Sequence, residues 1–461
     1  MPPKILLVMP KHREGDKTFP FGIATVYSRL KESGFDVDLV DCVVEGKSFP
    51  ELITPSRLGG YDVIGIGGLV SCYKRVKEEI VPFIRKHAPR ALIAVGGYLG
   101  ISVPRLLLSR GLCEVCFLGD AEESLPEFLE VSDRKEEWRN IVGLAYLDGG
   151  GSYVSTGARR LENLEKTYVP YHKHMEIEKY NAHQKDRNKT YPLVVEVGCL
   201  FNCNFCFNSS SNKPRSRSPE HVIEEIKVAA AKYGYPRVGL MSENLLSRPR
   251  WVTRFCELIR ENGLRFKWEA AGHARTLNDG ILSMVKQHGC TEIGIGFENF
   301  SQKILDAMNK RVKVEDNIRA LKLLRTNGLK FSGTMIFGYL GESRETIEEN
   351  IRVCREYAYA APYFWIQAYP LTTLYAQCME KGLIRDEEEY VERLGDITEY
   401  VINMTEFPDA ELVRMREMMN DAIRLDRGEV SLYRRVLRHY GLSYLLHFLV
   451  RAVRNPGSLR N

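Results

Sequence analysis

Two successive alternations of short apolar strands with helical stretches constrain this 461-residue chain more than any other feature. In the first, KILLVM (4–9), VDLVD (37–41), DVIGIGG (62–68), LIAVGG (92–97) and EVCFLG (114–119) are continuous apolar runs. Helical stretches such as 22–33 and 73–87 lie between them. Strands apolar on both faces belong in a parallel sheet covered by helices on both sides. Five such strands predict a doubly wound α/β domain over residues 1–150. The glycine clusters and polar turns at 10–20, 67–72, 96–100 and 119–122 all follow carboxyl ends of strands. Open α/β sheets bind ligands at that edge, although glycine also serves simple tight turns.

Residues 151–190 are polar, charged and aperiodic, and read as a linker with a short strand at 153–156. The linker holds His172, His174 and His183, which read better as solvated side chains than as a metal site. The second alternation fills 191–395. Its strands are expected at 193–197, 237–241, 266–270, 292–297, 330–337 and 363–368, each followed by a helical stretch. Six strand–helix units predict a partial (β/α)6 barrel, with its site at the carboxyl ends of the strands. Residues 396–461 read as a helical C-terminal extension.

Composition narrows the class. Hydrophobic content of 44% and charged content of 27% fit a globular protein. No apolar run reaches the ~18 residues that suggest a membrane span. The N-terminus runs straight into a strand, without the pattern of a secretory signal. A cytoplasmic protein is expected. The net charge of +5 is too small for a uniformly basic nucleic-acid binder. All of it sits in residues 411–461, which hold ten arginines, no lysine and five acidic residues. That segment is expected to pack on the barrel; covering the active site and contacting a membrane surface are the alternatives. Eleven cysteines in so long a chain predict thiols or metal ligands rather than a disulfide framework.

The sharpest local signal is GCLFNCNFC (198–206), which places Cys199, Cys203 and Cys206 at CxxxCxxC spacing just after a strand. Thiolates suit iron–sulfur clusters or zinc. Zinc sites normally take four ligands, and no fourth is near in sequence. Three ligands can hold three irons of a 4Fe–4S cluster and leave the fourth open to substrate. Phe201 and Phe205 would shield it.

This loop, on the first strand of a six-unit barrel, resembles the radical S-adenosylmethionine (radical SAM) family. The resemblance extends through RSRSPEHVIEEI (215–226), GIGFENFSQKILDAMNK (294–310), IFGYLGESRETIEENI (336–351) and YPLTTLYAQCMEKGLI (369–384). Leu200 and Leu340 stand where proline is common, and neither is a ligand. The resemblance implies that S-adenosylmethionine chelates the open iron and is cleaved reductively to methionine and a 5′-deoxyadenosyl radical. An external electron donor of the flavodoxin or ferredoxin type is then required. Glu243, Arg275 and Glu298, at the ends of successive strands, are the candidate cofactor contacts.

The first domain resembles the flavodoxin-like cobalamin-binding domain of one radical SAM class. The matching stretches are PFGIATVYSRLKESGFDVDLVD (20–41), YDVIGIGGLVSCY (61–73), ALIAVGGY (91–98) and FLGDAEESLPEFLE (117–130). Ser71, Gly96, Gly97, Gly119 and Glu122 are carried over as cobalamin contacts. His12 and Gly15 keep His-x-x-Gly spacing, but Pro10 replaces the aspartate that would orient an axial histidine, so His12 is not expected on cobalt. Cys113 and Cys116 read as buried small hydrophobes.

The resemblance implies a cobalamin-dependent C-methyltransferase acting on an unactivated carbon of a small-molecule or lipid-like metabolite. An oxidative cyclase or rearrangement enzyme of the same architecture is the alternative. An RNA methylthiotransferase fits less well, since Cys42, Cys72 and Cys113 lack the context of that family's N-terminal cluster motif and the tail reads helical, so no nucleic-acid partner is expected; a non-catalytic cobalamin-binding protein fits less well because the CxxxCxxC loop is intact.

Overall fold

A computed structural model of the chain describes residues 3–11, 18–182, 184–207, 213–357, 359, 361–395 and 397–426. His12, Gly15, His183 and the extension past residue 426 lie outside the described residues.

The first apolar runs become β1 (Ile5–Met9), β2 (Val37–Asp41), β3 (Val63–Gly67), β4 (Leu92–Gly96) and β5 (Val115–Phe117). They form one parallel sheet in the order β2-β1-β3-β4-β5. Residues 144–155 then fold back as β6 (Leu144–Leu147) and β7 (Tyr153–Ser155), which extend the sheet antiparallel. The segment at 153–156 is therefore the sheet's outer edge.

The linker is also packed. Tyr171 and Ile177 are fully buried, and Tyr168 and Tyr180 nearly so. Tyr171 hydrogen-bonds Thr25 at 2.7 Å and Tyr180 donates to Asp41 at 2.7 Å, both in the first domain. The aromatic anchors recur without helical or strand period, so the sequence pattern does not reveal their burial. His172 lies beside Tyr191 and His174 beside Glu32, each with its own partner.

The second alternation gives β8 (Thr190–Val194), then a short antiparallel pair, β9 (Glu196–Val197) with β10 (Arg215–Ser216). It continues through β11 (Arg237–Met241), β12 (Lys267–Gly272), β13 (Cys290–Glu298), β14 (Lys330–Phe337) and β15 (Tyr363–Trp365). Six of these pair in parallel in the order β8-β11-β12-β13-β14-β15. Among the described residues no pairing joins β15 back to β8, so the barrel is open. Its helices carry ordinary stop and start signals. Helix Pro219–Tyr233 begins where the Ser218 hydroxyl accepts from the His221 amide, with proline at the first position, and ends at left-handed Gly234.

The two domains share one apolar core. Leu99, Leu107 and Val95 of the first domain belong to the same buried cluster as Ile304, Tyr339, Leu374 and Val391 of the second. Helix Glu387–Arg393 adds charge to this contact, with Glu388 accepting from Tyr73, Lys77 and Arg110. Helix Asp409–Asp426 returns to the barrel, where Leu412 is buried and Arg416 donates to the Tyr363 carbonyl at 2.8 Å. No described helix is long and apolar enough to cross a membrane.

Candidate active site between two sheet edges

The cysteine loop leaves the β8–β9 strand at the barrel mouth. Neighbouring loops clamp its backbone. The Asn204 amide donates to the Met308 carbonyl at 2.9 Å, and its side-chain amide to the Ala307 carbonyl at 2.9 Å. Asn309 donates to the Asn202 carbonyl at 2.7 Å, and the Leu374 amide to Asn204 at 2.9 Å. Cys203 is buried, while Cys199 and Cys206 are partly exposed. Burial raises the Cys199 and Cys203 thiols, so metal binding there must displace protons.

The donor set decides which group fits. Among the described residues, no three His, Cys, Asp or Glu side chains converge on a single-ion site. A 4Fe–4S cluster asks for something different, because each thiolate binds its own iron and the ligands stand apart around a cube. Three thiols on a clamped loop, without a fourth ligand, fit that cluster with one open iron. Phe201 stacks on His273 at 3.8 Å with an interplanar angle of 8°, and Phe205 packs edge-on against Tyr339, so aromatic rings flank the loop.

Lys310 is the residue that sequence reasoning missed. It is buried, and its ammonium donates to Glu298 at 2.9 Å. Burial works against its charge, but Glu298 and then Cys203 and Cys206 hold its pKa above the usual lysine value. The backbone on either side is strained. Asn309 and Arg311 have φ of 51° and 54°, and Glu298 has 62°. Non-glycine residues held in the left-handed region cluster at functional sites, because the surroundings must over-determine them. The signal available in sequence was only a lysine at the end of the family-like segment 294–310.

Gly296 explains part of the arrangement. A Cβ there would lie 2.1 Å from the Glu298 Oε1 atom and 3.1 Å from the Lys310 ammonium, so only glycine leaves room for the ion pair. Thr334 donates to the other Glu298 oxygen at 3.3 Å. His273 is buried, and burial, then the Lys310 charge, push its pKa down to about 3. Its Nε2 faces the Lys310 carbonyl at 3.2 Å, which fits a neutral ring protonated at Nε2.

The remaining candidates separate. Glu298 is held by Lys310 and Thr334 rather than left open. Glu243 is exposed at the end of β11, and its charge reaches Cys199 and Tyr98. Arg275 is exposed and donates to the carbonyl of Arg311, next to Lys310, at 3.4 Å. Across the gap, Ser71 sits in the turn after β3, and at the end of β4 Gly96 is partly exposed and Gly97 exposed. Gly97 has φ of 65°, and a Cβ there would meet the Gly68 carbonyl at 3.0 Å. Gly119 has a packing reason of its own, since a Cβ would lie 2.1 Å from the Arg159 carbonyl. Glu122 is half-buried at this edge, and burial, then the Asp120 charge, push its carboxyl up to about 7. Cys113 and Cys116 are buried, with sulfurs 3.5 Å apart.

The carboxyl edge of the first sheet thus faces the cysteine loop. Tyr98, just after β4, meets Phe207, just after Cys206, with ring centroids 4.1 Å apart.

Comparison with known proteins agrees with this layout. Residues 193–354 match the Radical SAM superfamily. An uncharacterized methyltransferase of Pyrococcus horikoshii is 24% identical over 391 residues, covering 83% of this chain and 84% of that protein. The anaerobic magnesium-protoporphyrin IX monomethyl ester cyclase of Rubrivivax gelatinosus is 24% identical over 402 residues, covering 84% and 72%. Among solved structures, the radical S-adenosylmethionine methyltransferase TsrM from Kitasatospora setae, with cobalamin and a 4Fe–4S cluster bound, superposes with a TM-score of 0.66. Identity is 15%, covering 83% of this chain and 76% of that one. The cobalamin-dependent S-adenosylmethionine radical enzyme OxsB, with aqua-cobalamin bound, gives a TM-score of 0.66 at 19% identity. That alignment covers 90% of this chain and 61% of OxsB, so the chain spans about three fifths of that enzyme. Residues 193–354 thus form a radical SAM domain, and across both domains the fold of the chain is the one seen in TsrM and OxsB.

Proposed function

We propose that this protein is a cobalamin-dependent radical SAM C-methyltransferase acting on an unactivated carbon of a small-molecule or lipid-like metabolite. One observation carries the reading: the CxxxCxxC loop opens directly onto the carboxyl edge of the first sheet, with Tyr98 against Phe207 at 4.1 Å. A methyl carrier on that edge and a radical source on that loop would share one cavity. When bound, the cluster with S-adenosylmethionine would supply a hydrogen-abstracting radical, and cobalamin a transferable methyl group.

The chain's own residues would do the rest. Cys199, Cys203 and Cys206 would hold three irons. Lys310, fixed by Glu298, offers a buried cation for a cofactor carboxylate, and exposed Glu243 a carboxylate for an ammonium or a ribose hydroxyl. Ser71, Gly96, Gly97 and Glu122 would form the cobalamin platform, with neutral Glu122 able to donate a hydrogen bond. Phe201, Phe205 and Tyr339 would keep water from the cluster. An external donor of the flavodoxin or ferredoxin type would reduce it. The tryptophan substrate named for TsrM is in keeping with a small-molecule substrate here.

The test is anaerobic purification with iron, sulfide and cobalt measured together, followed by turnover with S-adenosylmethionine. Methylation requires both 5′-deoxyadenosine and S-adenosylhomocysteine. Cluster without cobalamin would sink the mechanism. Deoxyadenosine alone, with cobalamin bound, would favour the second reading, an oxidative cyclase. The 402-residue similarity to the Rubrivivax cyclase supports that alternative.

A further inference from the structure

Tyr98 has a place that the proposed function does not use. It is the second residue of helix Gly97–Ser102, directly at the carboxyl end of β4. That strand is central in the seven-stranded sheet. The turn that presents it is tight. The Leu99 amide donates to the Gly68 carbonyl at 2.9 Å, and Gly97 takes φ of 65° against the same residue. A β4 turn fixed in this way aims the following side chain rather than letting it wander.

The ring crosses the domain boundary. It meets Phe207 at 4.1 Å with an interplanar angle of 64°, an edge-to-face contact. Burial, then the charges of Glu243 and Cys206, push its phenol up to about 12. The ring therefore stands among the cysteine loop, the end of β11 and the β4 edge. Even so, 38% of Tyr98 remains open to solvent. The ring is thus in contact across the domain boundary while part of it stays accessible.

We propose that Tyr98 is a positioning residue that sets the spacing between the ligand of the first sheet and the iron–sulfur loop. The inference rests on the proposed cobalamin-dependent reading. A planar macrocycle held at the edge formed by Ser71, Gly96 and Gly97 would neighbour Tyr98, which directly follows Gly97 and is partly exposed. Phe207 backs the other side of the ring and transmits that contact to Cys206, its neighbour in sequence. The role is assigned to the aromatic ring, through its contact with Phe207.

The experiment uses the full chain, reconstituted anaerobically with iron, sulfide and hydroxocobalamin, and needs no knowledge of the substrate. Wild type, Tyr98→Phe, Tyr98→Ala and Phe207→Ala are compared in three measurements. These are cobalamin affinity by absorption titration, the electron paramagnetic resonance spectrum of cob(II)alamin, and 5′-deoxyadenosine released from S-adenosylmethionine without substrate. Tyr98→Phe should match wild type in all three. Tyr98→Ala should weaken cobalamin binding about threefold to tenfold, the equivalent of one lost aromatic contact. It should also broaden the cobalt signal and raise uncoupled cleavage several-fold. Phe207→Ala should reproduce these changes from the other domain, and the double variant should be no worse than either single one.

Wild-type affinity, spectrum and cleavage in Tyr98→Ala would overturn the inference and leave the proposed function standing. A Tyr98→Phe variant as impaired as Tyr98→Ala would also overturn it, because the hydroxyl would then be the active part. Wild-type protein that binds no cobalamin would remove both.

Discussion

The two ligand-facing edges are built from the same parallel strand–helix units, yet they hold their turns differently. Among the described residues, all four non-glycine residues with positive φ lie in the barrel: Glu298, Asn309, Arg311 and Leu371. The first domain places only glycines there, among them Gly97 and Gly119. The barrel mouth also buries an ion pair, Glu298 with Lys310, beside the thiols. The facing edge offers backbone that is partly exposed at Gly96 and exposed at Gly97, and one half-buried carboxyl, Glu122. A fixed charge must be held against strain and desolvation, whereas a platform needs only that side chains stay out of the way. In the proposed function the barrel is the reacting edge and the first sheet the carrying edge, and the difference is in keeping with those roles.

The largest test removes a ligand from the reacting edge. Cys203→Ser should abolish cluster content and 5′-deoxyadenosine formation, read by iron analysis and chromatography. Cobalamin retention should stay at the wild-type level. Parallel loss of cobalamin would mean that the two edges are not separate devices.

Next comes the buried pair. Glu298→Ala leaves Lys310 as an uncompensated buried charge and should cost about 3 kcal/mol in a denaturant titration. Glu122→Gln at the facing edge should leave stability unchanged within about 0.5 kcal/mol. Equal losses at the two positions would erase the contrast between them.

Glu122 should govern the pH dependence of the carrying edge. Its carboxyl titrates near 7 because burial and Asp120 disfavour the charge. Below that pH it is neutral and can donate to a cobalamin amide. Retention should therefore fall about tenfold as pH rises from about 6 to about 8. Glu122→Gln should flatten the profile, measured by equilibrium dialysis.

The smallest effect belongs to the charged seam between the domains. The Lys77 hydrogen bond, opposed by burial and joined by Tyr73 and Arg110, lowers Glu388 from 4.5 to about 2. Its other close charged neighbour is Glu392, which shares Lys77. A lowered carboxylate gives its full stabilisation above about pH 4.5 and loses it as pH falls toward about 2. Lys77 and Arg110 are substantially exposed, so the contribution is at most about 1 kcal/mol. Lys77→Met should shift the acid-unfolding midpoint upward within that window, followed by circular dichroism.

Much of the fold was legible because its signals are local. The β2, β11 and β14 segments fall at 37–41, 237–241 and 330–337, the runs that the apolar pattern marks. Ser218, Pro219 and Gly234 bracket a helix with signals visible in any window of the sequence. The hairpin of β6 and β7 was half legible: a short strand at 153–156 was expected, whereas the buried run at 144–147, which pairs with both β5 and β7, was not. The linker's Tyr171 and Tyr180 carry no period, and their partners Thr25 and Asp41 lie 146 and 139 residues away.

The same division holds at the site. The sequence alone determined the CxxxCxxC loop, the strand it follows and the glycine turns of the facing edge, because ligand spacing and turn chemistry are properties of a few adjacent residues. Only the tertiary structure decided that Glu298 is bound to Lys310, that Gly296 leaves room for the pair, that Arg275 reaches the Arg311 carbonyl and that Tyr98 meets Phe207. Each of those facts joins residues through space across loops or domains. Burial sets which charges must pair and which rings must pack, and burial follows from the assembled core rather than from any local pattern.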